Sequence, residues 1–185
     1  MMSMLLDYAF SFAQENLLPV LLGTAAFLLL RFLLCRTGKL SRCSIPHEIG
    51  LALFALYLAT LLSLTFLPFR FAPGEGGFAF NSTLLAIAQG TYTAGSWVWT
   101  MILGNALMLI PFGFLVPLLW EKLRGWRVLP VGLGFILIIE LLQPLTGRSF
   151  DIDDILLNFL GVAVGALLSA AVQALLPRQV KALRA

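Results

Sequence analysis

Residues 128–145 read V-L-P-V-G-L-G-F-I-L-I-I-E-L-L-Q-P-L, an apolar run whose polar side chains are Glu140 and Gln143. A helix needs about 20 mainly apolar residues to cross a bilayer core, and this run is close to that length. A small water-soluble globule leaves too much of its chain exposed to hide several such runs. The stretch therefore predicts a transmembrane helix that carries a carboxylate at membrane depth. A charge there is costly and needs a partner, a proton or water.

Working outward, four further runs have the same character: residues 17–34, 45–67, 97–120 and 152–176. Pro19 falls near the start of the first, and Pro46 introduces the second. The chain is 60% hydrophobic and 11% charged, where an ordinary soluble domain is about one-quarter charged. The expected fold is all-α and integral to the membrane, a bundle of five transmembrane helices. Residues 1–16 form an N-terminal interfacial segment, 17–176 a single transmembrane domain and 177–185 a basic cytoplasmic tail. The first segment carries Asp7 and Glu15 but no Lys or Arg, so it lacks the basic n-region of a signal peptide. Met4, Leu5, Tyr8 and Phe12 recur at helical spacing and make an apolar stripe suited to the interface.

The connecting segments set the orientation. Arg36, Lys39 and Arg42 occupy the first loop, with Arg31 placed to snorkel towards it. Lys122, Arg124 and Arg127 occupy the third loop, and Arg178, Lys181 and Arg184 the C-terminal tail. The alternate segments hold Arg70 alone and Arg148 alone. The positive-inside rule makes this an N-out, C-in protein. The formal net charge of +3 thus reflects topology and gives no reason to expect nucleic acid. Trp97 and Trp99 at one end of the third span, with Trp120 and Trp126 at the other, fit interfacial belts. Cys35 and Cys43 flank the first basic loop and are expected as reduced thiols. The second loop, 68–96, opens on Pro- and Gly-rich turn chemistry. Asn81, Ser82 and Thr83 then precede an apolar stretch and predict the cap of a short interfacial or re-entrant helix.

Asn105 lies about 12 Å inside the third span, at about 1.5 Å per helical residue. Glu140 and Gln143 stand at i and i+3 in the outer third of the fourth, hence on one face. The fifth span starts beside Asp151, Asp153 and Asp154, with Asn158 one turn further on. Arg148 is the only cation in the loop between these two spans. Asn105, Glu140, Gln143, Arg148, Asp151, Asp154 and Asn158 are therefore candidate ligand-binding residues at one mouth of the bundle. The acids at 151, 153 and 154 also suit a helix N-terminus, where carboxylates accept from free N–H groups. Gly161 and Gly165 suit close helix packing, and Pro111 with Gly113 suits a kink in the third span. His47 and Glu48 suit a capped helix start. No His and Cys cluster has metal-ligand spacing, and no P-loop, GxSxG or HExxH motif occurs.

Residues 105–113, N-A-L-M-L-I-P-F-G, resemble the first motif of the VanZ-like membrane protein family. Residues 140–165, E-L-L-Q-P-L-T-G-R-S-F-D-I-D-D-I-L-L-N-F-L-G-V-A-V-G, resemble the second, with its E-x-x-Q element, Arg, acidic cluster and N-x-x-G-x-x-x-G tail. Leu67, Pro68 and Phe69 resemble the family's short pre-loop motif. The resemblance covers residues 45–176. It implies a multi-pass protein of the bacterial cytoplasmic membrane with a role in the cell envelope, including glycopeptide (teicoplanin) resistance. The expected function is binding of a lipid-linked envelope precursor or lipoglycopeptide at an outer-leaflet polar pocket. The alternatives are an intramembrane enzyme using Glu140 and the aspartates on an envelope lipid, and a structural or partner-binding subunit. Whether the chain catalyses is open, no cofactor is assigned, the expected partners are the bilayer and the lipid-linked precursor or lipoglycopeptide, and an oligomer is left open.

Overall fold

The computed structural model describes residues 2–38, 44–66, 83–91, 93 and 95–184. Lys39, Arg42, Cys43, Leu67, Pro68, Phe69, Arg70, Asn81 and Ser82, to which the sequence assigns loop, motif and capping roles, lie outside the described residues. So do the side chains of Met4, Leu5, Asp7, Tyr8, Phe12, Glu15, Trp97 and Arg184. Among the described residues there is no β-strand, and five helical stretches are long and apolar enough to cross a membrane. These are Asn16–Arg36, Ile45–Phe66, Ile102–Leu119, Gly125–Thr146 and Ile152–Leu175. The protein is an all-helical, multi-pass membrane protein. Its chain divides into two compact units, residues 1–69 and 70–184.

The first unit is a hairpin of α1 (Met2–Arg36) and α2 (Ile45–Phe66). The segment ahead of the first span is continuous with it in one helix. The two helices pack antiparallel: a Cβ at Gly23 would rest 3.5 Å from the Ala59 Cβ, an ordinary close approach between small residues. At the loop end, Arg31 donates from Nε and Nη2 to the two carboxylate oxygens of Glu48, each at 2.6 Å. Arg31, at the position from which it can snorkel towards the loop, is thus half of a bidentate pair, the strong geometry for a guanidinium. Ser44 caps α2, its hydroxyl accepting from the His47 N–H at 3.4 Å. Thr24, Thr60 and Thr65 donate their hydroxyls to carbonyls four residues back, which satisfies polar side chains inside apolar helices. Leucines stand exposed around α1, from Leu17 to Leu33. A helix apolar around its circumference is at home in lipid.

The first described helix of the second unit is the short α3 (Thr83–Ala88), in the loop where the sequence expects a short helix. The third span follows as two helices, α4 (Ser96–Met108) and α5 (Ile110–Leu119). Between them Leu109 leaves helical geometry, at φ −97° and ψ 0°. Pro111 supplies the reason: it has no N–H for the Leu107 carbonyl, and its ring crowds the preceding turn. Two 3-10 turns, Glu121–Leu123 and Gly125–Arg127, lead into α6 (Val128–Leu142). After a loop come α7 (Ile152–Leu175) and α8 (Pro177–Arg184).

α7 is the axis of this unit and packs against α4, α5, α6 and α8. Its approach to the broken third span is backbone on backbone. A Cβ at Gly161 would be driven into the Ala106 carbonyl, and one at Gly165 into the Ile110 carbonyl. From the other side, a Cβ at Gly113 would be driven into the Val162 carbonyl. Gly113 therefore belongs to the α5–α7 contact, one turn beyond the break. Val162 also reaches α6, where a Cβ at Gly132 would stand 2.7 Å from Val162 Cγ1. Phe112 and Phe135 stack at 5.0 Å between α5 and α6.

Candidate functional site

Close packing of α7 against α4 and α6 fixes the polar residues at its N-terminal end. Asp151 caps α7 in extended backbone geometry, its Oδ1 accepting from the Asp153 N–H at 2.8 Å. Asp153 is fully buried, and its Oδ2 accepts from the Leu84 N–H of α3 at 2.9 Å. Asp154 Oδ1 accepts from Asn105 Nδ2 of α4. The three acids thus have three separate engagements: one caps its own helix, one holds the start of α3, and one ties α7 to α4. Burial pushes the Asp151 carboxyl above its usual range. The Asp153 N–H opposes that shift, and the neighbouring Asp153 carboxylate adds to it.

α6 brings Glu140 to this end. Glu140 is 1% exposed, so it faces into the protein. The Asp151 N–H reaches its carboxylate, and Asp154, Asp151 and Arg148 are its charged neighbours. Among the described residues its Oε2 has no hydrogen-bond partner. Gln143, one turn on, is also buried. It opens the 3-10 turn Gln143–Thr146, whose carbonyl takes the Thr146 hydroxyl at 2.8 Å and the Arg148 N–H at 3.3 Å. Gly147 closes that turn at φ 79°, a left-handed conformation that glycine adopts freely. The turn carries Arg148 to the exposed rim, within electrostatic reach of Glu140 and Asp154.

Asn158 completes the set. It is one turn from Asp154 and one turn from Val162, between the lines along which α7 meets α4 and α6. It is 7% exposed, and its Oδ1 has no hydrogen-bond partner among the described residues. The fold thus gathers Asn105, Glu140, Gln143, Asp151, Asp154 and Asn158 at one end of the second unit, with Arg148 above them.

The sequence left Asp153 out of the binding set, although it is more deeply buried than either neighbour. Its partner is a backbone N–H far away in the sequence, and no side-chain pattern announces such a bond. Chemically, the described residues of the site offer buried oxygen acceptors and, at the exposed rim, the Arg148 guanidinium. Among the described residues, no three of His, Cys, Asp and Glu are grouped to hold a metal ion.

The model of the VanZ/LLP1 family matches residues 54–173 of this chain. That span runs from the middle of α2 to the end of α7 and contains every residue of the site. No curated protein and no solved structure matches the chain.

Proposed function

The chain belongs to the VanZ/LLP1 family, and on that premise we propose that its polar site binds a lipid-linked or amphiphilic molecule of the bacterial envelope. The observation that carries this proposal is the pair of buried acceptors without partners among the described residues, Glu140 Oε2 and Asn158 Oδ1. Leaving a buried polar atom unpaired costs about 1–3 kcal/mol. Two in one site suit a ligand that brings hydrogen-bond donors. Sugar hydroxyls, peptide amides and ammonium groups all qualify, and lipid-linked envelope precursors and lipoglycopeptides carry them. Arg148 at the rim then takes a phosphate or carboxylate in a charge-assisted contact. The exposed apolar faces of α6 and α7 lie alongside for the tail.

The proposal includes the orientation drawn from the loop charges: N-out and C-in in the bacterial cytoplasmic membrane, with the site open to the outer leaflet. It extends to a contribution to teicoplanin resistance, since that glycopeptide carries a lipid tail. The test is susceptibility of cells expressing the protein. Wild type should raise tolerance to teicoplanin above tolerance to an untailed glycopeptide. Glu140→Ala and Arg148→Ala should lose the effect while accumulating normally in the membrane. Full activity in both variants would exclude the site from the function.

A second proposal, hydrolysis or transfer on an envelope lipid, draws on the juxtaposition of Glu140 with Asp154 and Asp151. Two carboxylates close together are the usual means of acid/base work. Turnover of a lipid-linked substrate by purified protein, abolished by Glu140→Gln, would establish it. A purely structural role for these polar residues predicts instead that Glu140→Gln leaves function intact.

A further inference from the structure

The opposite end of α7 carries a feature unrelated to the acidic end. Asp151 and Leu175 are separated by the full length of α7, about 35 Å at about 1.5 Å per residue. Beyond Leu175 the chain turns into α8, which packs back on α5 and α7 with Val180 buried. Between α8, the end of α7 and the 3-10 turn Glu121–Leu123 lies a cavity of about 280 Å³. Arg124, Lys181 and Gln173 line it, together with Glu121. Glu121 stands 3.6 Å from Arg124, so the described lining residues hold two cations and one anion. The wall is built on the core: Gln173 donates to Ser169 Oγ at 3.0 Å, and Ser169 is fully buried.

The surroundings are those of a membrane–water boundary. Trp126 is 73% exposed and Leu175 79% exposed, with Trp120 and Leu176 also on the surface. Tryptophan favours the headgroup level, and exposed leucines favour acyl chains. The cavity is close to the lower limit of small-molecule sites, about 300–1,000 Å³. That volume suits a headgroup and excludes a whole lipid.

We propose that this cavity binds the phosphate-bearing headgroup of an anionic phospholipid. Arg124 offers a planar donor fork to the phosphate oxygens, Lys181 a second positive charge, and Gln173 an amide for a headgroup hydroxyl. The acyl chains run along the exposed apolar surface of Leu175 and Leu176. The site is separate from the acidic end and is independent of what binds there.

The experiment uses the full-length protein in a neutral detergent, titrated with phosphatidylglycerol, phosphatidylcholine or inorganic phosphate. Bound lipid is counted by native mass spectrometry, and thermal unfolding is followed in parallel. Phosphatidylglycerol should remain bound and raise the unfolding temperature, with phosphatidylcholine and inorganic phosphate doing neither at the same concentration. Lys181→Gln and Arg124→Gln should each weaken retention by about tenfold or more, the usual effect of losing a charge-assisted hydrogen bond. Arg178→Gln, on α8 but outside the cavity lining, should leave retention within about twofold, because salt screens diffuse attraction. Equal retention of the two lipids would overturn the proposal. So would equal losses in the Arg178 and Lys181 variants, which mean unspecific surface charge. An equal response to inorganic phosphate would overturn the lipid assignment.

Discussion

Asn105 of α4 donates its side-chain amide to Asp154 of α7, joining the two helices at the level where the polar residues collect. The bond gives a carboxylate inside an apolar unit a fixed donor. Asn105→Ala should lower unfolding stability by about 1–2 kcal/mol, the range for interhelical hydrogen bonds in membranes. Asn105→Asp should cost more, because it sets two carboxylates against each other. Unfolding of both variants in detergent checks this, and unchanged stability in both would mean that the bond holds nothing.

Glycine positions separate tight contact from open surface. Gly161→Ala and Gly165→Ala force a methyl group into backbone carbonyls of Ala106 and Ile110, so each should destabilise by about 1–3 kcal/mol. Among the described residues nothing lies within 4 Å of a Cβ at Gly134, and Gly134→Ala should be neutral or stabilising by up to about 1 kcal/mol through helix propensity. Thermal melts of the three variants, each compared with wild type, decide the matter. A uniform loss would contradict the contact geometry.

The helical spans were legible because each is long, apolar and bounded by basic or turn-forming residues. The gathering of Asn105, Glu140 and Asp154 was legible too, since helical rise alone puts them at similar depth. Pairings that follow no period were not. Arg31 with Glu48 joins two loop-flanking positions, and Asp153 with the Leu84 N–H spans most of the second unit. The acids at 151, 153 and 154 look equivalent in sequence. Only the approach of α4 and α3 gives Asp154 and Asp153 partners on other helices, while Asp151 caps its own. Likewise residues 177–185 read as a charged tail because the packing of Val180 depends on a groove built by other helices.

Asp153 holds the start of α3, so its removal should be felt there first. Asp153→Ala should speed amide exchange at Leu84 and expose residues 83–88 to protease, with smaller effects in α5. Hydrogen exchange followed by mass spectrometry reads this directly. Undiminished protection at Leu84 would contradict the contact.

Asp151 caps α7 while its carboxyl is held above the usual range by burial. The folded state therefore keeps this proton more readily than the unfolded chain. The group's effect on stability becomes steadily less favourable as pH rises from the unfolded carboxylate range towards the folded one. Asp151→Asn keeps the cap and removes the charge, so at neutral pH it should be neutral or slightly stabilising. Asp151→Ala should cost about 1 kcal/mol through the lost cap. Melts across pH 4 to 8 should flatten in the Asn variant, and the opposite slope would refute the burial effect.

The central claim is that the oxygens of Glu140 and Asn158 without a partner among the described residues receive a donor-bearing envelope amphiphile. Its most direct test is the equilibrium binding of two probes to purified protein: a polyprenyl-diphosphate-linked sugar and teicoplanin. Wild type should bind at least one of them. Glu140→Ala and Asn158→Ala should each weaken that binding by about tenfold or more, with Gly134→Ala unchanged. Absence of binding by both probes, or affinities unaltered in the Glu140 and Asn158 variants, would contradict the account.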